Sequence, residues 1–325
     1  MPAAALQIGI TPWETLGAQD AEALCAQAER AEALGFHSFW LPEGHFSSAT
    51  AGGAAPIPQP LLWHAAVAAR TQRLKLGTTS YLLPIRNPIQ MAEEVAVLDR
   101  LSNGRVILGV GRGFRRALFS AFAVDRSTKR DLFEAALGVM RTAWAGEPIT
   151  EDGDTPGAPS VLAPLPVQRP HPPIWVAAFG PKALEQAGRL GLPYLASPIE
   201  TEAMLVANYA KHREILAEHG HVATDLAVPI MRTVFVHRDA NVVARVRDAL
   251  QRQAMALAKA PSAAIRRVGT ADAEDFAIFG EPARVADEIA RTREKLGMTH
   301  LLVRTQVPGA DGDELLAALD ALAEL

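Results

Sequence analysis

Residues 74–110 read LKLGTTSYLLPIRNPIQMAEEVAVLDRLSNGRVILGV, and this run decides the fold class. Its opening, 74–83, is largely apolar and is stopped by Pro84, as a strand covered on both faces would be. Apolar residues then recur at helical spacing over 88–101, with Pro88 in the first turn and Asn103-Gly104 just past the end. A second apolar run, 105–110, leads into Gly111-Arg112-Gly113. Strand, helix and strand in this order describe a parallel sheet flanked by helices.

The alternation extends in both directions. Upstream, 6–9 reads as a strand, 18–34 as a helix ended by Gly35, and 36–41 as a strand running into Pro42-Glu43-Gly44-His45-Phe46. A stretch without periodicity, 47–59, is rich in Ser, Ala, Gly and Pro, and 60–71 is helical. Downstream, strands are expected at 174–177, 194–196, 227–236 and 300–305. Helices are expected at 129–145, 181–190, 200–219, 240–258, 282–296 and 313–325. Residues 150–173 read as a proline-rich insertion and 260–277 as a mobile stretch. About eight strands joined by sequential crossovers predict an α/β fold. The first choice is a (β/α)₈ TIM barrel with loop insertions, one domain over residues 1–325, ahead of a doubly wound open sheet.

The 325 residues carry 36 acidic and 32 basic side chains, a formal net charge of −4. That mild balance argues against a nucleic-acid or anionic-membrane surface. The single cysteine, Cys25, excludes an internal disulfide and a cysteine-built metal site, and its apolar neighbours mark it as a core residue. There is no apolar run of 18 residues, and residues 1–5 lack the features of a signal peptide. A soluble cytoplasmic protein is therefore expected. The nine histidines show no metal-binding spacing, and His212, His219 and His221 read as a solvated face. Trp13, Trp40 and Trp175, in or near strands, read as core or as pocket lining.

In a barrel of this kind the active site lies at the C-terminal ends of the strands. Glu43 and His45 follow the second strand and suit proton transfer, or else form a plain strand-end ion pair. Thr78, Thr79 and Ser80 fall at the end of the third. Arg112, between two glycines, offers a planar fork for a phosphate where the backbone can come close. The third glycine of a dinucleotide fingerprint is absent in either register. Phe179, Gly180 and Lys182 follow the 174–177 strand, and Gly180-Pro181-Lys182 opens a helix whose first N–H groups favour an anion, or is an ordinary helix start. Ser197 follows the 194–196 strand.

Three segments, FHSFWLPEGHF at 36–46, LGTTSYLLPIRNP at 76–88 and LDRLSNGRVILGVGRG at 98–113, together with Ala92-Glu93-Glu94, resemble the luciferase-like flavin-dependent monooxygenases. The likeness is contiguous over about residues 6–145, with weaker echoes at 175–181, 280–282 and 304–305. The resemblance implies a (β/α)₈ barrel with a large insertion that binds reduced FMN, or a deazaflavin coenzyme, at its C-terminal mouth. By motif, Arg112 corresponds to the arginine on the flavin phosphate. Thr79 and Ser80 correspond to a strand end beneath the ring, where the family often has a cis peptide without proline. Glu94 corresponds to a polar position near the isoalloxazine, and 178–182 to a phosphate-side loop, although the family's hydroxyl residues are missing there. The Gly-Arg-Gly ending of the fourth strand is closer to the FMN branch than to the deazaflavin branch.

One departure bears on catalysis. Members often carry Glu-His-His-Phe after the second strand, and here Gly44 replaces the first histidine. Either His45 takes over its acid–base role, or the substrate needs no such base, or the chain binds flavin without turnover. The leading expectation is a monooxygenase using O₂ and reduced FMN supplied by a partner flavin reductase, with His45 and Glu43 catalytic and 260–277 a lid. The uncharged loop 47–59 suggests a small, apolar or neutral organic substrate, and Ala-rich helix faces suit a homodimer. The alternatives are a deazaflavin-dependent hydride-transfer enzyme and a flavin-binding subunit without turnover.

Overall fold

The computed structural model describes residues 5–13, 21–46, 56–151, 159–260 and 263–325. The strands are β1 (Gln7–Ile10), β2 (Ser38–Leu41), β3 (Lys75–Thr78), β4 (Tyr81–Leu82), β5 (Val106–Gly111), β6 (Thr150–Glu151), β7 (Pro159–Ser160), β8 (Ile174–Ala177), β9 (Tyr194–Leu195), β10 (Pro229–Val236), β11 (Ala277–Gly280) and β12 (His300–Arg304). The helices are α1 (Ala21–Ala33), α2 (Pro60–Arg70), α3 (Pro88–Leu101), α4 (Arg116–Ala121), α5 (Lys129–Trp144), α6 (Pro181–Arg189), α7 (Glu202–Glu218), α8 (Ala240–Leu257), α9 (Ala263–Val268), α10 (Ala273–Phe276), α11 (Pro282–Leu296) and α12 (Gly312–Ala323). No helix among the described residues is long and apolar enough to cross a membrane.

The chain forms two compact units that interleave in sequence. One comprises Met1–Leu16, Arg30–Trp40 and Val176–Leu325, the other Gly17–Glu29 and Leu41–Trp175.

In the first unit β11, β10, β12, β1 and β2 pair side by side, all parallel. β8 pairs in parallel with β9, and a single bridge from Ala196 to Ile230 joins that pair to β10. Gly9 is required in β1, because a Cβ there would lie 2.2 Å from the Ser38 hydroxyl and 2.5 Å from the Trp40 indole nitrogen. Phe235, Val246, Leu250, Phe276 and Phe279 share one apolar cluster. Burying each such side chain contributes roughly 1.5–3 kcal/mol.

In the second unit β3 and β4 both pair in parallel with β5. Their register explains why the expected 74–83 strand is broken. Between the pairs Gly77–Ile107 and Tyr81–Val110 lie three residues on one side, 78–80, and two on the other, 108–109, so one extra residue is accommodated between the two pairings, as in a bulge. The Thr79–Ser80 peptide in that interval is cis. Asn87 caps α3 by accepting from the Ile89 N–H, and α5 packs on α3, where the Trp144 indole donates to the Ala92 carbonyl at 2.9 Å. The buried Arg105 guanidinium donates to the carbonyls of Ala68, Thr71, Leu74 and Ser102, closing the end of α2 onto the start of β5.

Some expectations need correction. His212 is buried, not solvated: it lies on the face of α7 shared with Leu205, Tyr209 and Leu216, and its Nε2 meets the Leu192 carbonyl at 2.9 Å. Residues 263–276 carry α9 and α10, and a strand, β11, follows immediately. The expected proline-rich insertion contains an antiparallel β6–β7 pair. Parts of three sequence readings, the helix start at 18–20, the loop at 47–55 and the insertion at 152–158, lie outside the described residues, as do 261–262 of the supposed lid. Cys25 is buried in α1, and burial pushes its thiol pKa up.

Candidate functional site

Six of the expected site residues belong to the second unit: Glu43, His45, Thr79, Ser80, Glu94 and Arg112. Glu43 and His45 leave the end of β2, and alternation around Gly44 turns their side chains together. His45 Nε2 lies 2.5 Å from Glu43 Oε1, and both side chains are almost wholly shielded, at 7% and 0% exposure. The same Oε1 meets the Arg86 guanidinium at 2.7 Å, and Oε2 accepts the Leu82 N–H at 2.8 Å. The carboxylate thus faces two donors, Arg86 and the Leu82 N–H, and the His45 ring nitrogen. The His45 ring is edge-on to Phe122, with centroids 5.0 Å apart, and Phe46 leans on both rings. Phe46 is half exposed, so apolar surface borders the imidazole on the solvent side.

Beside this group the Arg86 guanidinium lies 4.4 Å over the Tyr81 ring, and the Tyr81 hydroxyl donates to Glu94 at 2.6 Å. Burial raises the Tyr81 phenol well above its ordinary range. Glu94 itself is an exposed residue of α3 whose carboxylate is engaged by Tyr81. Thr79 and Ser80 are half-buried between β3 and β4, and Ser80 Oγ sits where a Cβ on Gly111 would be, 2.1 Å from it. Only glycine allows β5 to approach Ser80 this closely.

Arg112 directly follows β5 and is buried, its guanidinium carbon 5.3 Å from the Phe133 ring centre. Burial, and then the charge of Arg130, lowers its pKa to about 10. Lys129, at the start of α5, donates to the Gly113 carbonyl at 3.0 Å. Burial pushes its pKa down too, followed by the charges of Arg126, Arg112 and Arg130. An anion placed among these cations relieves both their desolvation and their mutual repulsion. This donor set therefore fits the phosphate of a flavin mononucleotide.

The other four residues belong to the first unit. Gly180 has φ +100° at the N-cap of α6, and a Cβ there would meet open space, so it forms an uncluttered cradle before Pro181. Phe179 is half-buried and Lys182 exposed in the first turn. The Ser197 N–H is committed to the Glu200 carboxylate at 2.6 Å. Glu200 is fully buried, also receives Asn208 at 2.6 Å and the Tyr194 hydroxyl, and burial pushes its pKa up.

Sequence reasoning missed Arg86, Tyr81, Phe122 and Lys129. A signal for Arg86 existed: it stands in Pro84-Ile85-Arg86-Asn87-Pro88, where two prolines fix the backbone around a long cation.

Comparison with known proteins bears on this arrangement. Limonene 1,2-monooxygenase of Rhodococcus erythropolis is 33% identical over 63% of this chain and 50% of its own length. The oxygenase component of flavin-dependent trigonelline monooxygenase from Acinetobacter baylyi is 31% identical over 54% of this chain and 47% of its own. The chain thus spans about half the length of these curated relatives. Among solved structures, the oxygenating constituent of 3,6-diketocamphane monooxygenase from Pseudomonas putida, in complex with FMN, superposes with a TM-score of 0.77 at 20% identity, over 98% of this chain and 97% of that one. The coenzyme F420 dependent tetrahydromethanopterin reductase of Methanopyrus kandleri gives 0.71 at 20% identity, over 99% and 98%. At that identity both speak for the fold alone, and it is the expected α/β barrel. The sequence profile of the luciferase-like monooxygenases matches residues 4–300, nearly the whole chain, and the protein therefore belongs to the luciferase-like monooxygenase family.

Proposed function

We propose that the protein is the oxygenase component of a two-component flavin-dependent system, a single barrel domain over residues 1–325. A separate flavin reductase supplies reduced FMN, and the substrate is a small, neutral, apolar organic molecule. The observation that carries this reading is the buried Arg112 guanidinium, with Lys129 near enough to feel its charge, a pair of cations suited to an anion such as a phosphate. Relatives described as flavin-dependent, or crystallised with FMN, support the choice of cofactor. Limonene and diketocamphane in the names of two relatives support an apolar substrate.

When bound, the flavin supplies the electrons and activates O₂. The protein's own part is positioning and protons. Arg112, assisted by Lys129, holds the phosphate. Thr79, Ser80 and Glu94 would be the further residues of the same unit to hold the flavin, and Phe179, Gly180, Lys182 and Ser197 are proposed cofactor contacts of the other unit. His45, backed by Glu43, takes or gives a proton to the substrate side, in place of the histidine missing at position 44. Phe46 and Phe122 keep water from the imidazole. The protein acts in the cytoplasm as a homodimer.

Anaerobic titration of tryptophan fluorescence with reduced FMN, and separately with a reduced deazaflavin coenzyme, tests this. FMN is expected to bind more tightly. Arg112→Ala is expected to weaken FMN binding about ten- to a hundredfold, the loss of a charge-assisted contact of roughly 1.5–3 kcal/mol. Unchanged affinity in the variant would overturn the phosphate assignment. Tighter deazaflavin binding would favour a hydride-transfer enzyme, the reading supported by the F420-dependent neighbour.

A further inference from the structure

The Glu43 carboxylate is wholly buried, and its contacts are unusually complete. Oε1 receives Arg86 at 2.7 Å and His45 Nε2 at 2.5 Å, while Oε2 receives the Leu82 N–H at 2.8 Å. Arg86 is fixed in turn. It donates to the Leu82 carbonyl at 3.1 Å and to Gln59 at 3.0 Å, it stacks on Tyr81, and its side chain is only 10% exposed. A carboxylate that faces a guanidinium and an amide N–H acts as an acceptor, so the imidazole nitrogen against it carries the proton. Nδ1 is then the basic nitrogen, and it makes no hydrogen bond to the described residues.

We infer that Arg86 is a positioning residue for His45, acting through Glu43. It cancels the carboxylate's charge and fixes its orientation, which locks His45 as the Nε2–H tautomer and leaves Nδ1 as the site's proton acceptor. Without Arg86, an uncompensated carboxylate would sit 2.5 Å from the imidazole and hold a proton on it more firmly. Among the described residues, the other charged groups near His45 are Arg115, whose guanidinium lies 3.5 Å from the His45 carbonyl, and Glu94, which is linked to the group through Tyr81. The rings of Phe46 and Phe122 that flank the imidazole are neutral. This inference rests on His45 being the proton-handling group proposed above.

The test is made on the full chain without flavin, so its failure is distinct from a failure to bind FMN. Histidine-selective ¹⁵N labelling, with His45 assigned by a His45→Gln control, reads both tautomer and titration midpoint by NMR. The wild type is expected to show the Nε2–H form when neutral. Arg86→Met should raise the His45 midpoint by about one pH unit, and Glu43→Gln should lower it and scramble the tautomer. Arg86→Lys should return the midpoint toward the wild-type value. These opposite signs would not arise from loosened packing alone. If Arg86→Met does not fold, Glu43→Gln and Arg86→Lys still decide. A wild-type Nδ1–H tautomer, or a midpoint unmoved in the folded variants, overturns the inference.

Discussion

Ser80 and Gly111 form the tightest backbone approach in the candidate site. A methyl group at 111 would lie 2.1 Å from Ser80 Oγ and 3.1 Å from its Cβ, so Ser80 must rotate or β5 must retreat. Gly111→Ala is expected to lose about 1–3 kcal/mol of stability, an overpacking cost, measurable by urea denaturation. The serine's displacement should weaken FMN binding in the same variant. At position 44, in contrast, an added Cβ would meet Pro56 at 3.4 Å and the Ile57 nitrogen at 3.7 Å, ordinary contact distances, so among the described residues nothing forbids a side chain there. Residues of this site were legible where they stand at the end of an apolar run, as Glu43, His45 and Arg112 do. Arg86 was not, because it lies 43 positions from its carboxylate and follows a turn of β4 that periodicity does not reveal.

At the level of elements, the capping box of α10 is a local device. Asp272 accepts from the N–H of Asp275, and the Asp275 carboxylate accepts the Asp272 N–H at 3.1 Å. This helix has four residues and would not form alone, yet Ala273 and Phe276 are anchored among Val246 and Leu250 of α8. Asp272→Ala is expected to cost about 1 kcal/mol locally and to speed hydrogen exchange in 263–276, with α3 unaffected. The segment reads as mobile in sequence because six- and four-residue helices leave no repeat to detect. α4 escaped notice for the same reason. Long elements with continuous apolar runs or clear helical periodicity, such as β5, β10, α3 and α11, were legible almost to their ends, because burial sets both their composition and their length.

At the scale of the whole molecule, acid stability responds to two imidazoles, one in each unit, the buried His64 and the half-buried His300. His64 donates from Nε2 to the Gly77 carbonyl at 2.7 Å, and burial lowers its pKa to about 4. Burial and the neighbouring His37 lower His300 to about 4 as well. Unfolded, each titrates near pH 6.5, so above that value neither makes stability depend on pH. Between about pH 6.5 and 4 only the unfolded chain takes up these protons, and stability falls with pH; below 4 their contribution is gone. For His64 that loss is roughly 3 kcal/mol. His64→Gln, which keeps a donor for Gly77, should lose roughly 2–3 kcal/mol less than wild type between pH 7 and 4.5 in denaturant titrations. A different consequence follows from the interleaved units. Translation delivers the entire second unit by Trp175, whereas β1 must wait for its neighbour β12, made only near residue 304. The nascent chain therefore carries an open strand edge through most of its synthesis, and slow, cool expression or added chaperone should raise the yield of soluble protein.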